Sequence, residues 1–415
     1  MLLRRIIIVL IIIFLVLLVF SFIKNFSANN HKLVLWTDIP EFISYVEMFN
    51  AEHDSLKIEP VYQRDPARAL MRTRNQPDII VGNYLNSPQV IESFRKVNHL
   101  FRQKRIDSNS FYSVLLSRGA KGKSQMVLPV SFNMPALMFQ PGEISQTISA
   151  FMITHENIIE ISRAFNRRVM KDVSAFSPRW NSDMLYYNAV MNNADFRTNE
   201  TSGISYNMDG LEGSLRVTRA FINEINGGIE RDIRFEEKHL YKPAESLIIE
   251  QRIFFAYTTL RDFYAIRQHQ REKLSFRWLS KENIIPVCDD IVFAGIPRSG
   301  SNRKGAEAFL EWFFDHHTQE KIMETKQLRR VRTFGISSGF SSLRTVNEQI
   351  FPKHYPLLVG HIPPQNMLAF PAPLPVEWEA LKDSVIKRWL YRESGNTHTT
   401  SDLEAAIHNW YNFNP

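Results

Sequence analysis

Cysteine is all but missing: Cys288 is the only one in 415 residues, so no intramolecular disulfide can staple the chain, and its stability must come from packing. Negative charge is missing from the start, since no acid precedes Asp38, while Arg4, Arg5 and Lys24 supply three of the seven surplus positive charges. The excess left over the rest of the chain is too thin for a nucleic-acid footprint, which concentrates basic residues on one face. Phosphate-loop and His-Glu-x-x-His motifs are also absent. No low-complexity or collagen-like bias is present, and with 44% hydrophobic and 12% aromatic residues there is ample material for buried cores in two or three domains.

What the sequence does have is an unbroken apolar run from Ile6 to Ile23, interrupted by one serine. As a helix its roughly 18 residues rise about 27 Å, close to the thickness of a hydrocarbon core. Arg4 and Arg5 precede it, which places the short N-terminus in the cytoplasm and everything after Lys24 outside. Lys24, Asn25 and Phe26 stand where a secretory cleavage site needs small residues, and no cysteine follows to accept a lipid. Residues 1–30 are therefore expected to be an uncleaved signal anchor, with the body of the protein on the periplasmic or extracellular face of the membrane.

Beyond Asn30, short apolar runs alternate with stretches of helical period, the pattern of an α/β protein with largely parallel strands. Lys32 to Trp36 reads as a strand, Pro40 and Glu41 start an amphipathic helix in which Phe42, Ile43, Val46 and Phe49 recur at three- and four-residue spacing, and Leu56 to Tyr62 returns as a strand. Pro77 to Gly82 reads as a buried strand ending in a loop at Asn83 and Tyr84. Ligands of open α/β sheets bind beyond the carboxyl ends of the strands, so Trp36, Asp38, Asn83 and Tyr84 are expected at one crevice. Helices are predicted at Asp183 to Asn192, Leu215 to Ile225, Ala244 to Phe255, Ala306 to Phe314, Glu377 to Tyr391 and Ser401 to Trp410. Ile284 to Val287 and Ile291 to Ile296 read as a strand pair or one bent strand.

Several separated segments carry a resemblance: Lys32-Leu33-Val34-Leu35-Trp36-Thr37, Pro77-Asp78-Ile79-Ile80-Val81, Leu128-Pro129-Val130-Ser131-Phe132-Asn133, Met184-Leu185-Tyr186-Tyr187-Asn188, Arg252 to Tyr257, Phe293-Ala294-Gly295-Ile296 with Ala306 to Phe313, and Phe334-Gly335-Ile336-Ser337-Ser338. In this order they resemble the extracellular solute-binding proteins of ABC importers, in particular the large carbohydrate-binding class of maltose- and glycerol-phosphate-type receptors. The resemblance spans residues 31 to 345 and contains no catalytic signature. The sequence departs from the class in lacking a lipid-acceptor cysteine, in its scarcity of glycine, and in placing Cys288-Asp289-Asp290 where small residues are usual.

The resemblance implies a two-lobed fold with a hinge: residues 31–132 plus 288–336 in a first lobe, and 133–287 plus 337–415 in a second, more helical one. Crossings between the lobes are expected near Asn133, Cys288 and Ser337. It further implies a saccharide in the cleft, delivery to permease subunits in the membrane, no cofactor and no metal. A sugar offers hydroxyls on its rim and weakly apolar faces, so carboxylates, amides and flat rings are the groups that hold it. Trp36, Asp38, Asn83, Tyr84, Asn133, Trp180, Tyr186, Tyr257 and Asp290 are the candidates, whereas Trp312 and Trp389 sit at helical spacing and read as packing residues.

An enzyme is disfavoured by the same residues. Cys288 is flanked by two carboxylates, which oppose its thiolate, and His316-His317 point about 100° apart on a helix, a poor start for a metal site. Two alternatives keep a place: an exported glycoside hydrolase using paired acids, and a membrane-tethered docking or sensor protein acting through Lys326, Arg329, Arg330 and Arg332. If that basic segment is merely a solvated face, Leu328 and Val331 should be its inward side.

Overall fold

A computed structural model describes residues 32–414 except 143–148, 150, 168–171 and 200–202. The predicted anchor, residues 1–30 with the apolar run 6–23, lies outside the described residues, and no described helix is long and apolar enough to cross a membrane.

The first strand, β1 (Leu33–Thr37), buries Leu33, Leu35 and Thr37 and leaves Val34 and Trp36 half-buried on its other face, the period of two that a pleated strand imposes. Helix α1 (Glu41–Glu52) covers it with Phe42, Tyr45, Val46, Met48 and Phe49. Strand β2 (Ile58–Tyr62), helix α2 (Pro66–Arg72), which carries proline in its first turn where no N–H is missed, and β3 (Ile79–Asn83) follow. The chain then adds β4 (Val127–Phe132), buried throughout. The six-stranded sheet runs β10-β4-β9-β3-β1-β2, where β9 is Val292–Gly295 and β10 is Phe340–Ser341. Strands β1, β2 and β3 are mutually parallel, and β9 is antiparallel to both β3 and β4. The carboxyl ends of β1, β3 and β4 and the start of β9 therefore lie along one edge.

Asp78 explains why Pro77-Asp78 precedes β3. Its buried carboxylate accepts from the Val34 N–H at 3.0 Å, the Asn302 N–H at 2.8 Å and the Ser301 hydroxyl at 3.1 Å. One side chain thus ties β1, β3 and the loop leading to helix α6 (Arg303–Phe313), whose N-cap is Asn302.

The second sheet has four strands in the order β7-β5-β8-β6: β5 (Ala136–Phe139), β6 (Met152–Ile153), β7 (Ala256–Thr258) and β8 (Ser275–Leu279). Around it stand α3 (His155–Asn166), α4 (Ser182–Met191), α5 (Met208–Glu224) and a C-terminal helix that begins at Trp378–Leu381, widens into a π turn at Lys382–Ile386 and continues to Ser394. The last helix is Leu403–Phe413.

Four expectations change. The helix predicted to Phe255 stops at Ile249, because Gln251 turns left-handed at φ 55° and the Phe254 and Phe255 N–H groups bond to Ala175 O. Ile284 to Val287 does not pair with Ile291 to Ile296: Ile285–Pro286 pairs with Leu368–Ala369, while β9 enters the first sheet. The basic segment is inverted, since Leu328 is 84% and Val331 44% exposed and Lys326 is the buried residue, its ammonium donating to Gly335 O at 2.5 Å. That burial brings the Lys326 pKa down to about 8. Finally, Phe340–Ser341 bonds into the first sheet through β4, beyond residue 336. Trp389 is buried at 2% exposure, and Trp312 is partly buried with its ring N–H on Glu52 at 2.7 Å.

Candidate functional site

The sheet edge sets the site. Register pairs Thr37 with Val81 and Asn83 with Val292, so Asp38, Asn83 and Tyr84, and the approach to β9 through Cys288, Asp289 and Asp290, share one end of the sheet. Asn133 follows β4 at the same end, and its carbonyl accepts from the Cys288 N–H at 2.8 Å. The Asn133 amide donates to Ser338 O at 3.1 Å, and the Ser337 N–H donates to the Tyr45 hydroxyl at 3.1 Å. All three segments expected to cross between lobes therefore meet.

Asp38 is held above the usual carboxylate range, at about 6, by burial, while its own backbone hydrogen bond opposes the rise and Asp65 adds to it. Tyr84 sits at φ 59° just past β3, and its buried hydroxyl donates to Glu379, 2.6 Å away on the C-terminal helix. Gln89 extends the same contact, donating to Glu377 and accepting from the Val376 N–H at 2.8 Å.

Behind Tyr84 lies a buried network. Asp289 accepts from Lys382 at 2.7 Å, from the Tyr186 hydroxyl at 2.8 Å and from the Trp378 ring N–H at 2.6 Å. Burial opposes its charge, but the Lys382 ammonium and these hydrogen bonds outweigh burial and lower its pKa. Lys382 also reaches Glu379 at 3.0 Å. Beside this network Tyr187 and Tyr257 stack with their planes 7° apart and centroids at 6.2 Å, and Asp290 pairs with Arg261 at 2.6 Å. Burial, then Asp290, raise the Cys288 thiol above its ordinary range and so oppose its thiolate form.

Of the nine sequence candidates, Asp38, Asn83, Tyr84, Asn133, Tyr186, Tyr257 and Asp290 gather on this edge or directly against it. Trp36 lies within β1, its backbone in register with Val61 and Ile80, inside the sheet rather than beyond its end. Trp180 is elsewhere: its ring stacks on Phe235 at 4.9 Å, among residues of the helix Ile229–His239. Sequence reasoning did not single out Asp289, Trp378, Glu379 or Lys382 as site residues. Their signal was an apolar and charged pair four residues apart, Trp378 and Lys382, on a helix read only for packing.

The run Gly335-Ile336-Ser337-Ser338-Gly339 has the Gly-x-Ser-x-Gly spacing of a hydrolase nucleophile elbow. Here it forms a turn closed by Ile336 and Gly339, not a strand-to-helix corner. The Ser337 hydroxyl is buried without a hydrogen-bond partner, and no histidine among the described residues is bonded to it. No group of three histidine, cysteine, aspartate or glutamate side chains suited to a metal ion occurs among the described residues.

No family model matches the chain, and neither does any curated protein. Solved structures do. The chain is similar to the sugar-binding protein MalE of Xanthomonas citri, with TM-score 0.67, 10% identity, and 91% of this chain and 95% of that one covered. It is similar to an ABC substrate-binding protein of Listeria monocytogenes in complex with cycloalternan, with TM-score 0.63, 9% identity, and 92% and 98% covered. A third is the galacto-N-biose- and lacto-N-biose I-binding protein of an ABC transporter of Bifidobacterium longum, with TM-score 0.60, 11% identity, and 92% and 96% covered. The fold is the two-lobed α/β fold of these binding proteins.

Proposed function

We propose that this chain is the substrate-binding component of an ABC importer, taking a saccharide in the crevice between its lobes and handing it to a membrane permease. The observation that carries the reading is the convergence at one sheet edge of carboxylates, amides and aromatic rings from both lobes: Asp38, Asn83, Tyr84 and Asp290 from the first, and Tyr187, Tyr257 and Glu379 from the second. Rings cover the apolar faces of a sugar, and carboxylates take its hydroxyls in pairs. No bond need be made or broken. The proteins of similar fold, named for or solved with saccharides, support the same ligand class.

The work of binding is then closure. The lobes swing about the crossings at Asn133, Cys288 and Ser337, and the Tyr84 to Glu379 bond forms as the crevice shuts. The lobe boundaries proposed are those given by the sequence, with the first lobe extended past 336 to include Phe340–Ser341. The run 6–23 is proposed as an anchor that holds the body on the outer face of the membrane.

Thermal melting of the protein with mono-, di- and oligosaccharides tests the reading, because a ligand bound only by the folded state raises its melting temperature. A selective rise with one saccharide class, lost on Tyr257→Ala, is expected. A cooperative melt unmoved by any saccharide would overturn the proposal.

A further inference from the structure

Helix α4 serves two sides. Tyr186 faces the crevice network, whereas Met184, Asn188 and Met191, spaced by four and three residues, line a separate cavity of about 530 Å³ on the other side of the helix. That volume falls within the range of small-molecule sites. Ile158, Val217 and Leu279 complete an apolar wall, and Ile158, Met184 and Leu279 are each at most 2% exposed, so the wall is fixed by the core. Methionine suits such a wall because its flexible thioether adapts to differing tails.

The mouth is different in kind. Thr154, His155 and Glu156 from the start of α3 stand there, together with Lys281 and Glu282 on the turn after β8. Lys281 donates to the Asn192 side chain at 3.1 Å, and Glu156 takes its hydrogen bonds from Thr154 and the backbone. Glu156, Lys281 and Glu282 are all exposed and line the one opening, and the Lys281 charge is close enough to help lower the Glu156 pKa. Burial lowers the His155 pKa and so favours its neutral ring.

An anionic amphiphile would meet two carboxylates at this mouth, and a cationic one would meet the like charge of Lys281. A head carrying both charges satisfies all three groups. We propose that this cavity binds a free α-amino acid with a long apolar side chain. Its carboxylate lies at Lys281, its ammonium at Glu156 and Glu282, and its side chain among Ile158, Met184, Met191 and Leu279. The cavity shares no lining residue with the crevice, so this inference stands whether or not a saccharide binds there.

Calorimetric titration and thermal melting of the full-length chain in detergent, with L-leucine, L-methionine and L-phenylalanine as probes, test it. Glycine, which lacks the tail, and N-acetyl-leucine amide, which lacks both charges, serve as comparators. Binding of at least one of the three probes is expected, with neither comparator binding. Lys281→Gln and Glu282→Gln, both on the exposed rim, should each weaken it at least ten-fold without lowering the melting temperature of the free protein. Met184→Phe should block it by filling the wall, and if that variant fails to fold, the two rim variants still decide. No binding of any probe, equal binding of N-acetyl-leucine amide, or undiminished binding in both rim variants would each overturn the proposal.

Discussion

Replacing Lys382 with methionine is the sharpest probe of the crevice network. The Lys382 side chain is 5% exposed and that of Asp289 3% exposed, so the substitution keeps the volume but leaves a carboxylate buried without its counter-charge. Breaking such a pair costs about 3–5 kcal/mol, because the remaining charge was desolvated against a partner it no longer has. Asp289 would keep its bonds from Tyr186 and Trp378, which places the expected loss at the lower end, about 3 kcal/mol at pH 7.

The sign with pH follows from the direction of the Asp289 shift. In the native chain its pKa is lowered from 3.8, so its contribution to stability is present above that value and is lost as pH falls through the lower folded value. In Lys382→Met the folded carboxyl should instead rise above 3.8. The penalty should then be full at pH 7 and shrink toward acid, as Asp289 takes up a proton. Urea unfolding of both proteins at pH 7 and pH 4 measures this, and Asp289→Asn combined with Lys382→Met should recover most of the loss. A loss below about 1 kcal/mol at pH 7, or one that does not change with pH, would refute the reasoning.

Other outcomes are equally specific. Tyr84→Phe deletes the hydroxyl bond to Glu379 and should cost about 1 kcal/mol, with a measurable increase in radius of gyration by small-angle scattering if that bond helps hold the crevice shut. Gly335→Ala should be among the most damaging single changes, losing about 3 kcal/mol in chemical unfolding. Its φ is 53°, and an added Cβ would lie 2.0 Å from Gly339 O, which is backbone and cannot step aside. Glu393 is held at about 2: burial works against its charge, but bonds from Ser401, the Thr400 N–H, Asn396 and Arg392 prevail. It should therefore supply roughly 3 kcal/mol above pH 4.5 that disappears toward pH 2, and Glu393→Gln should flatten the acid limb of an unfolding titration between those values.

The sequence by itself determined the local elements and the sheet edge that Asp38, Asn83 and Tyr84 share. The short apolar runs Leu33 to Trp36 and Ile79 to Val81 and the apolar spacing within Glu41–Glu52 each declare their form within a few residues, since the period of an element is a local property. Because strand ends follow from strands, Asp38, Asn83 and Tyr84 could be placed at one crevice before any coordinates. Elements that end by a long-range bond were not legible in this way: the helix stopping at Ile249 and the strand Phe340–Ser341 both depend on a partner distant in the chain, whereas Lys326 is buried by a turn nine residues on, at Gly335.

The buried network beside that edge was decided by tertiary structure alone. Asp289 and Lys382 are 93 residues apart, and Tyr84 and Glu379 are 295 apart. Nothing in the spacing of either pair marks it. A buried carboxylate and a buried ammonium are each unfavourable alone, and only the fold that brings them to 2.7 Å makes both tolerable. Trp180 shows the converse, an aromatic whose type suits a sugar but whose neighbours, Phe235 above all, place it in helix packing.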